Sequence, residues 1–314
     1  MPEAVPAAPR PPPVVRLATS SGLGNRMFQC LFAYRLAEEF GVPVTGDSLP
    51  EWGLLHEDSA VPLPSVYLQG HMPSPANLRR LWQLGHLQGI ETNALACRLE
   101  LMPSRAAAQA LFRDQGATPQ RFAPDCLVIN VRGAEILGGR HKDYRPLPIA
   151  FYERVVRETQ RRPVFVGQIG DDPYSQALRA RFPDAEFHPS RGVMEDFATL
   201  RAARHLVMAV STFSWLACWL SEAKTIHMPL TGFFHPKRRK DVDLFPLDAP
   251  RYRFHAFPPD AWMGTESQMH ETIAGPEAGR RISHRYLLTL VHGIKSPEPV
   301  PAPPPAVVSS AATA

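Results

Sequence analysis

The chain has 314 residues, 44% apolar and 20% charged, enough for two domains and a sizeable core. Its formal net charge is +4 and its pI is near 9.0, with one basic run, Lys237-Arg238-Arg239-Lys240; this argues against a nucleic-acid partner and is compatible with a phosphate-bearing ligand or an anionic membrane surface. Four scattered cysteines, Cys30, Cys97, Cys126 and Cys218, form no C-x-x-C pair, which excludes a disulfide framework and a zinc site and reads them as reduced, core-packed thiols.

Both ends are Pro/Ala-rich. Residues 1–13 and 296–314 are expected to be disordered, because they cannot bury enough apolar surface to offset ordering entropy. The opening MPEAVPAAPRPPP lacks the apolar stretch of a secretory signal. The longest apolar stretch, 206–220, is interrupted by Ser211-Thr212-Phe213-Ser214 and falls short of the roughly 20 residues a bilayer span needs. The expected location is therefore cytoplasmic, with peripheral contact at the inner membrane face left open by the 237–240 run, which equally fits a solvated loop.

Between the tails, a strand over 14–19 leads through a glycine-bearing turn into a helix over about 26–40, whose Met27, Phe28, Leu31, Phe32, Leu36 and Phe40 recur at three- and four-residue steps before Gly41 stops it. A strand follows over 42–45. The region 50–115 gives a strand over 66–69 and helices over 75–85 and 104–113. From 127 the pattern becomes regular: strands over 127–132, 163–167, 186–188, 205–210 and 225–228 alternate with helices over 148–161, 173–182, 193–203 and 214–223. Such alternation implies right-handed βαβ units and a parallel sheet. The expected fold is α/β with two nucleotide-fold halves, an N-terminal domain over 14–125 and a C-terminal domain over 126–295. Ligands of such sheets bind at the carboxyl ends of the strands, beside a switch point.

Four segments fall at those ends. Gly22-Leu23-Gly24-Asn25-Arg26 follows a strand and opens a helix, so the backbone can approach a ligand and the helix N-terminus favours an anion. With Asp47 further on it also resembles a dinucleotide fingerprint, except that Met27 stands at the third glycine; a ligand-free tight turn is the plain alternative. Asn130-Val131-Arg132-Gly133-Ala134-Glu135 places a guanidinium, able to grip a phosphate with two bonds, beside a carboxylate able to take a proton; a surface ion pair between Arg132 and Glu135 is the alternative. Ser211-Thr212-Phe213-Ser214-Trp215 clusters hydroxyls and free N–H groups at a helix start, as a phosphate site does, although one hydroxyl would serve as an N-cap. Trp215 reads as core packing. Asp196, near the start of the preceding helix, either answers the helix dipole or binds the hydrogen-bonding edge of a guanine.

Taken together, these motifs resemble the alpha-1,2-fucosyltransferases (glycosyltransferase family eleven). Residues 22–29, Gly-Leu-Gly-Asn-Arg-Met-Phe-Gln, are similar to that family's G-L-G-N-Q-M-F-Q opening, residues 130–135 to its H-x-R-R-G-D segment, and residues 211–215 to its S-T-F-S-W segment with Asp196 upstream. The sequence departs from the pattern at Arg26, at Asn130 in place of histidine, at one of two arginines, and at Ala134-Glu135 where the acid is displaced. The resemblance implies a GT-B fold with the donor site between the halves, GDP-fucose as donor, a glycan or lipid-linked saccharide as acceptor, inversion at the anomeric carbon, and neither a metal nor another cofactor. It implies that Arg132 holds the diphosphate, that Ser211, Thr212, Phe213 and Ser214 line the same pocket with Gly22, Gly24, Asn25 and Asn130, and that Asp196 reads the base. Glu135 is the first candidate for general base, with His141 and Asp143 as alternatives. Two other functions remain open: a nicotinamide-dependent oxidoreductase built on the unit from Gly22 to Asp47, and a sugar-nucleotide-binding relative without catalysis.

Overall fold

The computed structural model describes residues 12–74 and 76–292. The tails expected to be disordered lie outside the described residues except for Pro12 and Pro13. Strand β1 (Val14–Leu17) enters helix α1 (Leu23–Phe40) directly through the glycine turn, so the helix begins three residues earlier than its apolar periodicity shows. Gly41 ends it in the left-handed conformation (φ 66°), its N–H bonding the Ala37 carbonyl, a geometry that glycine adopts without a Cβ penalty. Strand β2 (Val44–Gly46), strand β3 (Ser65–Leu68), helix α2 (Ala76–Gln83) and strand β4 (Gly89–Thr92) complete the first sheet. Its order is β2-β1-β4-β3, all parallel. Strand β4 is absent from the sequence reading; its four residues, Gly-Ile-Glu-Thr, are too few to show a period.

Helix α3 (Arg105–Leu111) follows. It packs on the second half, where Arg105 donates to the carbonyls of Trp219 and Ser221. The second half runs β5 (Cys126–Val131), α4 (Ile149–Thr159), β6 (Arg162–Gly167), α5 (Pro173–Arg181), β7 (Glu186–Pro189), α6 (Val193–Ala202), β8 (His205–Val207), α7 (Thr212–Leu220), β9 (Thr225–Leu230), β10 (Tyr252–Ala256), α8 (Glu266–Ala274), β11 (Arg280–Ile282) and α9 (His284–His292). The sheet order is β11-β10-β9-β8-β5-β6-β7, parallel throughout except for the antiparallel edge β10–β11. Read from β7, six strands follow the doubly wound order, with the topological switch between β5 and β8. Residues 252–255, which carried no assigned role in the sequence, form β10 beside β9. The contact back to the first half is made by the preceding loop, whose Asp243 pairs by backbone with Cys97 and Leu99.

A single apolar core runs through both halves. Strand β5 is buried at all six positions, as a parallel strand covered on both faces should be. All four cysteines are free and buried, and burial pushes the Cys30 and Cys218 thiols up to about 12. Among the described residues no helix is long and apolar enough to cross a membrane.

Candidate functional site

The carboxyl ends of β1, β5 and β8 open into one cleft of about 550 Å³ between the two sheets. The switch point puts the segments after β5 and β8 side by side, and α1 brings the first half against them. There is no room at this junction: a Cβ on Gly24 would lie 2.6 Å from the Phe213 backbone nitrogen. Thr212 Oγ1 donates to Asn25 Oδ1 at 2.9 Å, which ties the α7 start to the α1 start. The N-termini of α1, α6 and α7 all reach the cleft. No side chain caps α1 and no acid sits in its first turn, so its unpaired amides and positive dipole end are available to an anion. The first turn of α6 carries Glu195 and Asp196, which suits a nucleoside better than a phosphate.

Of the residues singled out in the sequence, Gly22, Gly24, Asn25, Asn130, Arg132, Glu135, Asp196, Ser211, Thr212 and Phe213 line this cleft. Arg132 leaves β5 with its guanidinium 4.7 Å from the centre of the Tyr144 ring and donates to Glu135 at 3.1 Å. It makes no other hydrogen bond among the described residues, so most of its donors remain for a ligand. Asn130 Nδ2 bonds the Val166 carbonyl at 3.3 Å, stitching β5 to β6 under the cleft. Asp196 accepts from Ser190 Oγ at 2.5 Å and from the Arg191 N–H at 3.1 Å, which fixes the carboxylate at the α6 end of the cleft.

Several expectations are corrected. Ser214 does not line the cleft: it is fully buried, and its hydroxyl accepts the Ala209 N–H at 3.0 Å. Ser211 Oγ caps α7 through the Ser214 N–H at 2.9 Å, so this hydroxyl does the ordinary work of an N-cap. Glu135 is not a free base. It is paired with Arg132 and accepts from Gln168 at 3.3 Å; partial burial works to raise its carboxyl, but a backbone hydrogen bond and Arg132 outweigh this and hold it below the ordinary range. Asp143 is engaged by Arg238 at 2.8 Å and Arg239 at 3.2 Å. Those two arginines, from the basic run, are therefore turned inward and do not form an open cationic patch. His141 stays at the cleft wall.

The dinucleotide alternative loses its acid. Asp47 accepts from the Thr19 N–H at 2.6 Å and from Thr19 Oγ1 at 3.0 Å, closing the exit of β1, and Met27, at the third glycine position, is wholly buried. Arg26 is explained by an ion pair with Glu51. Trp215 is core, its indole N–H donating to the Leu244 carbonyl at 2.8 Å.

Residues missed in the sequence also line the cleft: Tyr144, Gln168, Ser190 and Val193. Tyr144 stacks on Phe233 at 5.6 Å and so holds the platform for Arg132. Gln168 accepts the Gly133 N–H at 3.2 Å. Both lie in connecting segments, and Gln168 directly follows β6, a strand-end position that the topology marks. Among the described residues no group of three or more His, Cys, Asp or Glu is placed to hold a metal ion.

No family model matches this sequence, and no curated protein matches it either. Solved structures similar in fold include an Arabidopsis thaliana FUT1 mutant in complex with GDP, at 12% identity over 69% of this chain and 71% of that one, TM-score 0.45. The heptosyltransferase TibC of enterotoxigenic E. coli, in complex with ADP-D-beta-D-heptose, is 13% identical over 87% of this chain and 67% of its own, TM-score 0.41. A family 9 glycosyl transferase from Veillonella parvula is 12% identical over 88% and 96% of the two chains, TM-score 0.44.

Proposed function

We propose that the cleft binds a nucleoside-diphosphate sugar, GDP-fucose first among donors, and that the chain is an inverting glycosyltransferase acting on a glycan or lipid-linked saccharide hydroxyl. One observation carries this reading: three motif segments far apart in sequence meet in one cleft at the switch point, around a guanidinium and two helix N-termini.

In this reading the acceptor oxygen bonds to the anomeric carbon as the carbon–oxygen bond to GDP breaks, and GDP leaves with the electron pair. Charge grows on the diphosphate as an oxocarbenium-like centre develops. Arg132 and the amides at the starts of α1 and α7 meet that charge, and preorganised donors of this kind are worth about 3–4 kcal/mol each. Glu135 and Tyr144 orient the guanidinium, the former by a hydrogen bond and the latter by its ring face. The acceptor proton passes to His141, the cleft imidazole without a carboxylate partner among the described residues. In this reading Asp196, at the α6 end of the cleft, accepts from the base.

Calorimetric titration of GDP into the wild-type chain and into Arg132→Ala, followed by GDP-fucose with an acceptor panel, tests the reading. Micromolar binding that the variant weakens tenfold or more supports the diphosphate site, and sugar transfer supports the activity. Binding of UDP or NAD in place of GDP sinks the donor assignment; GDP binding without any turnover identifies a relative that has lost catalysis.

A further inference from the structure

The opposite edge of the large sheet, away from the cleft, carries a second polar pocket that the reaction does not use. It encloses about 210 Å³ beside the amino ends of β8, β9 and β10 and the end of α4. The strand register places His227 of β9 opposite Arg253 of β10, and Arg281 of β11 opposite His255 of β10. These side chains therefore share one face of the sheet. Arg161, after α4, closes the pocket from the side. The side chains of Arg161 and Arg281 have no hydrogen-bond or ion-pair partner among the described residues. Arg253 bonds only the backbone carbonyls of Pro250 and Tyr252. The one carboxylate in the wall, Glu158, is taken by Arg154 at 2.7 Å. Three guanidiniums thus gather without an acid to answer them.

The buried histidines add a directional argument. Arg154 can only donate, so at 2.8 Å it fixes His255 Nδ1 as an acceptor. The hydrogen of the neutral His255 ring then sits on Nε2, which donates to His227 Nδ1 at 3.0 Å. The neutral His227 ring must carry its own hydrogen on Nε2. Burial, reinforced by neighbouring arginines, holds both rings neutral, His227 down to about 3 and His255 well below its ordinary value. His227 is 4% exposed, and its Nε2 has no partner. His205 Nδ1 in the same wall is also buried and unpartnered. A buried N–H left without an acceptor costs about 1–3 kcal/mol, and here it belongs to a side chain that lines a pocket rimmed by arginines.

We propose that this pocket is a binding site for a phosphate-type oxyanion, separate from the cleft. The anion's oxygens accept from His227 Nε2 and from the forks of Arg161, Arg253 and Arg281, a predominantly cationic lining whose one carboxylate, Glu158, is already held by Arg154 and which suits phosphate better than a cation. The chemistry is the same for free pyrophosphate and for the phosphate of an ester, and the proposal does not depend on what the cleft binds.

The test titrates inorganic pyrophosphate, orthophosphate and glycerol 3-phosphate into the full chain carrying Arg132→Ala, which removes the cleft's guanidinium, and into the same chain with Arg161→Ala and Arg281→Ala added. Arg281 is exposed and Arg161 half-buried, and neither belongs to the apolar core. Saturable binding that the added changes weaken at least tenfold supports the site, and the tightest of the three ligands distinguishes a free ion from an ester. In chain labelled with 15N-histidine, the His227 Nε2–H signal should shift on titration. Absence of binding at millimolar pyrophosphate, binding indifferent to the two arginines, or an unmoved His227 signal would each overturn the proposal.

Discussion

Ser211 and Ser214 look equivalent in sequence and differ entirely in the fold. The Ser214 hydroxyl is the acceptor for a buried backbone N–H at Ala209, so Ser214→Ala should destabilise the chain by about 1–3 kcal/mol while leaving GDP affinity within twofold; urea denaturation beside calorimetry checks both halves of that statement. Titration of the buried imidazoles gives a second expectation at this scale. Burial, then nearby cations, holds His205 down to about 4 and His227 down to about 3. The unfolded chain takes up these protons as pH falls through about 6.5, and the folded chain only near the depressed values. Stability present above pH 6.5 is therefore lost progressively below it, on the order of 2 kcal/mol at pH 5 for the deeply buried His227 and less for His205, which solvent screens more. Urea midpoints at pH 7.5 and pH 5 in phosphate-free buffer read this directly, and an unchanged midpoint would show that the rings are not held neutral.

Helices α1 and α7 meet start to start, and this contact builds the cleft. Their closeness depends on the missing side chain at Gly24, since the obstacle to a Cβ is the Phe213 backbone at 2.6 Å and not a side chain that can rotate away. Gly24→Ala should push the two helix starts apart, cost about 1–3 kcal/mol by overpacking, and weaken GDP binding together with stability. A variant as stable as the wild type with intact GDP affinity would refute the idea that this approach sets the site.

At the scale of the molecule, two sheets share one core. Phe28 of α1 packs on Trp215 of α7 at 5.5 Å, Arg105 ties α3 to the end of α7, and the loop around Asp243 pairs with the backbone of the first half. The halves should therefore unfold as one unit. Trp215→Ala should cost about 3–5 kcal/mol and lower a single calorimetric transition; a split into two transitions on this substitution would mean that the halves are held together by less than a common core.

Local chemistry was enough to read most of the elements. Helical periodicity marked α1, turn residues bounded the strands of the second half, and the strand–helix alternation specified a parallel sheet, because each of these depends on neighbours in the chain. The same local reasoning picked most of the residues that line the cleft, since glycine turns, an arginine at a strand end and a hydroxyl cluster at a helix start have chemical meaning where they stand. Strands β4, β10 and β11 and helices α8 and α9 escaped, because no clear run of periodic apolar residues bounded by turn residues marks them and their place is set by the elements they pack beside. Pairings decided only in three dimensions reassigned the rest: Ser214 turned to Ala209, Glu135 to Arg132 and Gln168, Asp143 to two arginines 95 and 96 residues away, and Asp47 to Thr19. A side chain's type says what it can bond, and that much the sequence determined. Which partner reaches it first is a matter of distance across the fold, and only the tertiary structure decided it.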